Sequence, residues 1–539
     1  MIETLLDWPT LVALALAALA AVPIAARWLR VAQREHYVPG NVSLMAWLWV
    51  RRSAPTLVLF IVALGLFHAA LYGHFGLYAA SELAVLLLAV ASTVLVALVP
   101  WGLSVRGTSK KLAFTPRLKR LLIAWAVLHL VAIIAAAAFA GAAGPVFVLF
   151  WSAPLTDLAL AIMAPIEKAA SQRYVTQAQK RLKQTGSRVV AITGSYGKTS
   201  TKNYVAHLLS AAFTTVASPA SFNNRLGLAR AVNDKLVPGT ELFVTEMGMA
   251  APGQIAELCR QFPPSIAAIT VIGEGHLQRM RTTEAILREK SSITELAPVV
   301  VLPVDDPRLA TLAEQCRAAG KVVITTTCQS GVDADISLTP PADDAPDAAL
   351  WSIRLGAGAE AVPVSIGSTG HAVNVAVAAG IALAAGVPVA AIAARLGDLP
   401  GSQHRAEVQQ APTGALVIDD TYNANPVGSL RALEGAASLA AERGGPLVVV
   451  TPGMVELGPV QSERNRAFGA AIGAAGGLLF AVARTNRAAL LAGYASTATS
   501  KAPGAIAVDT REAAIARAVA AAGDRGVILY ENDLPDHYP

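Results

Sequence analysis

A chain of 539 residues in which 54% are hydrophobic and 15% charged, with a mean hydropathy of +0.50, is too apolar for an ordinary soluble enzyme and long enough for three or four domains. Its net charge of +6 is uneven: residues 1–186 hold 16 Lys+Arg against 6 Asp+Glu, and the remainder 27 against 31. The basic excess thus belongs to the apolar front and makes no case for nucleic acid, while three scattered cysteines (Cys259, Cys316, Cys328) form neither a disulfide framework nor a zinc site and fit a reducing compartment.

Five apolar stretches, near residues 9–28, 54–72, 82–102, 121–141 and 145–163, each approach the ~20 residues of a spanning helix, which predicts a five-helix membrane domain over 1–165. The first is not a cleavable signal, because "MIETLLDW" is acidic and Arg27, Arg30 and Arg34 follow the apolar run. Those arginines, with Arg51 and Arg52, lie in the first loop, and Arg106, Lys110, Lys111, Arg117, Lys119 and Arg120 crowd the third, whereas "YGHFGLYAASE" and "AGAAGP" hold no Lys or Arg. The positive-inside rule therefore predicts an outer N-terminus in a cytoplasmic (inner) membrane and a cytoplasmic remainder, the compartment that holds ATP. Asp157 is expected to reach the interface, and "REHYVPG" (residues 34–40) to be an interfacial loop. Residues 166–186 read as an amphipathic linker, with Val175, Ala178 and Leu182 on one helical face against the membrane.

From residue 187 short apolar runs alternate with helical stretches, the pattern of a parallel α/β sheet. "RVVAIT" predicts a strand, "GSYG" a turn and "KTSTKNYVAHLLSAA" a helix. Backbone amides of Gly194, Ser195, Gly197 and Ser200 are then placed to hold phosphate oxygens, Lys198 to neutralise the terminal phosphates and Thr199 to offer its hydroxyl to Mg²⁺. The strict phosphate-loop pattern fails at Ile192, which stands where its first glycine belongs, so a plain strand–helix turn stays open on this motif alone. Glu246 at the end of "ELFVTE" and His276 after "SIAAITVI" and "GEG" are expected to converge on the same crevice, because open parallel sheets bind ligands outside the carboxyl ends of their strands.

The ordered motifs "TGSYGKTSTK", "SFNNRLG", "TEMGM", "HLQRMRTTEAILREKSSI", "GHAVN", "HRAEV", "IDDTYNANP", "GMVELG" and "YENDLPDHY" resemble those of the Mur ligases, the ATP-dependent amide-forming enzymes of peptidoglycan synthesis, and among them the D-alanyl-D-alanine-adding member. The resemblance covers almost everything from residue 188 onward. It implies a central P-loop ATP-binding domain (187–400) and a C-terminal Rossmann-like α/β domain (401–539). It further implies Thr199, Glu246 and His276 as Mg²⁺ ligands, a carbamoylated Lys290 bridging to a second magnesium, and His371 and Asn374 on the adenine side. Arg405 would reach phosphate and Asp420 ribose, with Asn223, Asn224, Tyr422, Asn423 and Asn425 at the substrate junction; a turn is the simpler reading of "NANP". Lys198, Glu246, His276 and Lys290 would carry the chemistry: phosphorylation of a carboxylate by ATP, then attack of an amine on the acyl phosphate.

Two departures stand out. Pro303 in "VLPVDDP" occupies a position where the family has an asparagine near adenine, leaving neighbouring backbone and Asp305 or Asp306 to replace it. At the front, five apolar stretches stand where soluble members carry a UDP-binding domain. The acceptor is therefore expected to be a muropeptide, UDP-linked or lipid-linked, and the donor D-alanyl-D-alanine or a similar amine, with other wall-building enzymes as possible membrane neighbours. A capsule-type or poly-amino-acid amide ligase, a non-catalytic Mg-ATP-binding membrane regulator and an ATP-driven transporter are the competing readings.

Overall fold

The computed structural model describes residues 7–77, 79–105, 112–219, 222–341, 350–356, 359–364, 372–400, 407–421, 424–499, 503–533 and 537–539. The chain forms two compact units, one of residues 1–170 with 534–539 and one of residues 171–533.

The first unit is helical. Helices Trp8–Arg34, Ala54–His74, Glu82–Leu98 and Pro116–Ala140 begin at Asp7, Ser53, Ser81 and Thr115, whose side chains each accept a hydrogen bond from a first-turn amide. Outward-facing Leu19, Val58, Leu87, Leu130 and Phe139 are all more than half exposed, an apolar exterior that inverts the pattern of a soluble bundle. Among the described residues three helical segments, Trp8–Arg34, Ala54–His74 and Pro116–Phe150, are long and apolar enough to cross a membrane; Glu82–Leu98 is apolar but has only 17 residues. The expected fifth span at 145–163 is not one helix. A short helix Gly144–Phe150 ends at Trp151, and a new 34-residue helix runs from Ser152 to Thr185. Arg106, Lys110 and Lys111 of the third loop lie outside the described residues.

Asp157 is turned inward onto protein. It is 9% exposed and accepts hydrogen bonds from Val42 N, Ser43 N and Ser43 Oγ, the amides at the start of helix Asn41–Arg52. That helix starts at Gly40, which has no side chain to cap it, so a carboxylate from a distant helix satisfies the orphan donors and complements the positive end of the dipole. In "REHYVPG", His36 and Tyr37 adopt φ of 57° and 60°, and the Arg117 guanidinium lies 4.1 Å from the Tyr37 ring centroid. Glu35 is buried: Asn41 Nδ2 donates to it at 2.9 Å, and His537 Nε2 lies 2.8 Å from its other oxygen. Trp49 Nε1 donates to the His537 carbonyl at 2.9 Å, which fixes the last residues within the helical unit.

The second unit contains two sheets. The first comprises β1 (Arg188–Thr193), β2 (Thr215–Ala217), β3 (Leu242–Glu246), β4 (Pro264–Ile269), β5 (Val299–Pro303), β6 (Val322–Thr327), β7 (Ile336–Thr339), β8 (Trp351–Leu355) and β9 (Ala361–Val364), in the order β2-β3-β1-β4-β5-β6-β7-β8-β9. Strands β1 to β7 pair in parallel; β7, β8 and β9 form an antiparallel edge that the alternating pattern did not predict. The helix Ala372–Ala385, apolar except for Asn374, is buried against one face of this sheet. The apolar face of residues 171–185 packs against the other: Val175 and Ala178 are fully buried with Leu236 and Phe262, and Leu182 lies against them. This overturns the membrane-surface reading of that face, since the stripe completes a protein core instead. Arg181 Nε to Leu236 O at 2.7 Å and Gln179 Nε2 to Gln261 O at 3.1 Å pin its flanks.

The second sheet comprises β10 (Glu407–Gln410), β11 (Leu416–Asp420), β12 (Leu447–Thr451), β13 (Leu478–Val482), β14 (Ala505–Val508) and β15 (Val527–Glu531), in the order β10-β11-β15-β12-β13-β14, parallel except for β10.

Candidate active site

Strand β1 lies between β3 and β4, so the chain order reverses across it and a crevice opens beyond its carboxyl end. The turn there enters helix Lys198–Leu209 through Gly194 at φ +155° and Gly197 at φ +80°. At both, a Cβ would overlap a neighbour: the Thr270 side chain at Gly194, the Asn374 side chain at Gly197. The loop is tied down on its outer side. Ser195 N donates to Val271 O at 2.7 Å, Gly273 N donates to Ser195 Oγ at 2.9 Å, and Thr270 Oγ1 donates to the Tyr196 carbonyl. Lys198 folds back over the loop, its Nζ donating to Gly194 O at 2.6 Å, while Thr199 and Ser200 occupy the first helical turn. A glycine turn entering a helix N-terminus is suited to cradle phosphate oxygens, but the Ser195 amide expected to face them is already given to Val271 O.

Basic groups converge on it. Lys290, on helix Thr283–Ser291, is 1% exposed, and burial, with the Lys198 charge adding, holds its amine well below the usual lysine range. His276 is lowered too, chiefly by burial, with Lys198 and Lys290 lowering it further and Glu456 opposing them. Lys198, His276 and Lys290 therefore share one electrostatic environment. Glu246 ends β3 opposite Ile192 of β1 and forms an ion pair with Lys202 at 2.9 Å, both side chains 2% exposed. Lys202, one turn along the same helix, closes the "TGSYGKTSTK" motif without a role of its own in the sequence; only the fold shows that it meets Glu246.

Other expected residues divide. Asn374 stands at Gly197 of the phosphate loop; its expected partner His371 lies outside the described residues, as do Arg405, Tyr422 and Asn423. Asn223 touches the loop after β3, accepting from Gly248 N at 2.8 Å, whereas Asn224 caps helix Arg225–Lys235 and Asn425 caps helix Pro426–Arg443. Pro303 closes β5; Asp305 binds Thr327 Oγ1 and Cys328 N, and Asp306 caps helix Pro307–Ala318, so both carboxylates hold local structure. Asp420 ends β11 beside Glu531, which is fully buried, bonded to Ser429 and Thr451 hydroxyls, and pushed up to about 7 by burial. No cluster of three or more His, Cys, Asp or Glu forms a ready metal site among the described residues, and the three cysteines are free.

Contacts from the second sheet's domain were not legible in the sequence. Arg464 grips Glu274 through both Nε and Nη2 at 2.7–3.1 Å, and Glu456 meets His276 Nδ1 at 2.8 Å and Arg279 Nη2 at 2.9 Å.

Residues 192–382 match the Mur ligase middle domain, and residues 404–530 match the Mur ligase, glutamate ligase domain. The chain belongs to the Mur ligase family. The UDP-N-acetylmuramoyl-tripeptide--D-alanyl-D-alanine ligase of Mycobacterium leprae is 32% identical over 292 residues, which is 52% of this chain and 54% of that protein. The Bacillus subtilis protein of the same name is 30% identical over 55% of this chain and 62% of its own length. This Mur ligase thus spans only a little over half the length of these curated relatives. The crystal structure of MurF from Acinetobacter baumannii superposes with a TM-score of 0.55 at 26% identity, covering 67% of this chain and 77% of that one. The MurF ligase of Thermotoga maritima, solved in complex with ADP, shares the fold at 23% identity and a TM-score of 0.54 over 67% of this chain and 80% of its own.

Proposed function

We propose that this Mur ligase joins a muropeptide carboxylate to D-alanyl-D-alanine or a similar amine, with cleavage of ATP to ADP and phosphate. The carrying observation is that Lys198 folds over the glycine turn at the start of its helix and that His276 and buried Lys290 are close enough to feel its charge. A carboxylate approaching a γ-phosphoryl group is repelled unless that charge is offset, and positioned cations with loop amides supply the offset. The donor set fits magnesium: Thr199, Glu246 and His276 are hard or borderline ligands, and a Mg²⁺ ion needs few protein ligands when phosphates and waters complete its shell. Bound magnesium would supply charge neutralisation at the phosphate oxygens. Lys202 holds Glu246 beside the cradle. A buried amine whose basicity is lowered by burial, as that of Lys290 is, can add carbon dioxide to give a carbamate, and we assign it that role at a second ion. Arg405 and Asp420 serve as nucleotide contacts from the C-terminal domain, and His371 as an adenine-side contact.

The helical unit, with its apolar exterior and three helices of spanning length, anchors the ligase in the cytoplasmic membrane with the catalytic unit inside the cell. The acceptor is then delivered at the bilayer surface, as a lipid-linked or UDP-linked muropeptide. Purified full-length protein with Mg-ATP, D-alanyl-D-alanine and each form of the tripeptide should yield the dipeptide-extended product by mass, and Lys198→Ala should not. Failure to extend any muropeptide, with ATP still consumed on another carboxylate, would overturn the wall-precursor reading and favour a capsule-type ligase.

A further inference from the structure

His276 is placed by a loop whose backbone is strained on both sides of the domain contact. His276 and Arg281 adopt φ of 66° and 69°, and Glu456, which meets His276 from the C-terminal domain, adopts φ of 64°. Three non-glycine residues in the left-handed region each cost of the order of 1–2 kcal/mol and persist only where surrounding contacts over-determine them. Those contacts are present. Gln278 N donates to the Glu456 carbonyl at 2.9 Å, Arg279 Nη2 donates to Glu456 Oε1 at 2.9 Å, and His276 Nδ1 lies 2.8 Å from Glu456 Oε2. Gly458, two residues on, lies so close to Gln278 that a Cβ there would stand 3.2 Å from its Cα.

The chemistry of this pairing is specific. A carboxylate only accepts, so the imidazole nitrogen facing it carries the proton, and the lone pair is left on Nε2. Nε2 of His276 makes no hydrogen bond among the described residues. A ligating histidine is commonly oriented through its other nitrogen by a carboxylate in this way. Here the carboxylate comes from the other domain.

We propose that Glu456 is a positioning residue: it reaches across from the C-terminal domain to fix His276 as its Nδ1–H tautomer, so that Nε2 is presented to the metal–nucleotide pocket while the domains are engaged at this face. The inference rests on His276 being a metal ligand, as the ligase reading requires. Arg464 and Glu274 clamp the same face without touching the imidazole and provide the control for mere docking.

The test is Mn²⁺ binding, read by electron paramagnetic resonance on the full-length protein with a non-hydrolysable ATP analogue. Glu456→Ala should weaken Mn²⁺ binding by about 10- to 100-fold. Glu456→Gln, whose amide oxygen still accepts from Nδ1–H, should stay within about threefold of the parent, as should Arg464→Ala, thresholds well inside that expected range. Combining Glu456→Ala with His276→Ala should lose no more than His276→Ala alone. Unchanged binding in Glu456→Ala, or equal losses in Glu456→Ala and Arg464→Ala, would overturn the positioning role while leaving the ligase reading intact. A parent protein that takes up neither Mn²⁺ nor nucleotide would instead overturn the ligase reading.

Discussion

Replacing Gly197 by alanine puts two separable loads on the phosphate loop. The residue sits at φ +80°, where an L side chain costs about 1–2 kcal/mol. Its new methyl would also overlap the Asn374 side chain, which is 4% exposed and has little room to move, adding about 1–3 kcal/mol of overpacking. The single variant should therefore be destabilised by about 2–5 kcal/mol. Asn374→Ala removes the overlap and leaves the backbone load, so a double-mutant cycle should return a favourable coupling of about 1–3 kcal/mol. The assay is unfolding of the detergent-solubilised protein, with and without a saturating ATP analogue. At 100 times Kd the analogue should stabilise the parent by about 2.7 kcal/mol, and Gly197→Ala by less, because relieving the clash with Asn374 shifts the turn on which the proposed phosphate site depends. Strict additivity of Gly197→Ala and Asn374→Ala would refute the steric account, and undiminished stabilisation by nucleotide would refute the cradle.

Lys202→Met should leave Glu246 buried without its counter-charge and cost about 3–5 kcal/mol of stability, part of it restored by Mg²⁺ with nucleotide, as followed by thermal unfolding. Glu531, raised by burial from its ordinary 4.5 to about 7, keeps its proton in the folded state over a window where the unfolded chain has released it. Stability should therefore fall as pH rises from about 4.5 to about 7, by up to about 3 kcal/mol, and Glu531→Gln should abolish that slope in unfolding curves taken across the window. Asp157→Ala should remove the cap of helix Asn41–Arg52 and cost about 0.5–2 kcal/mol, with Asp157→Asn retaining most of it, measured as the melting midpoint in detergent. Growth in ¹³C-bicarbonate should give a carbamate carbon resonance that Lys290→Ala lacks.

Much of the catalytic unit was legible because local pattern and fold agree. "RVVAIT" and "ELFVTE" are continuous apolar runs, which is how strands buried on both faces must read, and each ends at a residue delivered to the crevice. The antiparallel edge β7–β9 was missed because short strands around loops leave no clear period. Residues 171–185 show the limit of amphipathic patterning: the stripe of Val175, Ala178 and Leu182 says that one face is buried, not whether protein or lipid covers it. The fifth apolar stretch shows the limit of hydropathy, which counts apolar residues and does not register the helix break at Trp151. Lys202 and Glu456 stand inside the motifs "TGSYGKTSTK" and "GMVELG", but their contacts were silent for a third reason. Their partners lie 44 and 180 positions away, and an ionic contact at that separation has no sequence signature until the sheet brings its ends together.

The Glu35–His537 contact closes a chain segment of 502 residues. Glu35 emerges from the ribosome early, amid the apolar helices, and at that stage has Asn41 for company and no imidazole. The imidazole contact is made only after both sheets of the catalytic unit have been synthesised. The helical unit therefore matures in two steps separated by the translation of everything in between, and a nascent chain halted in that interval leaves the apolar region holding a carboxylate whose closing contact never arrives.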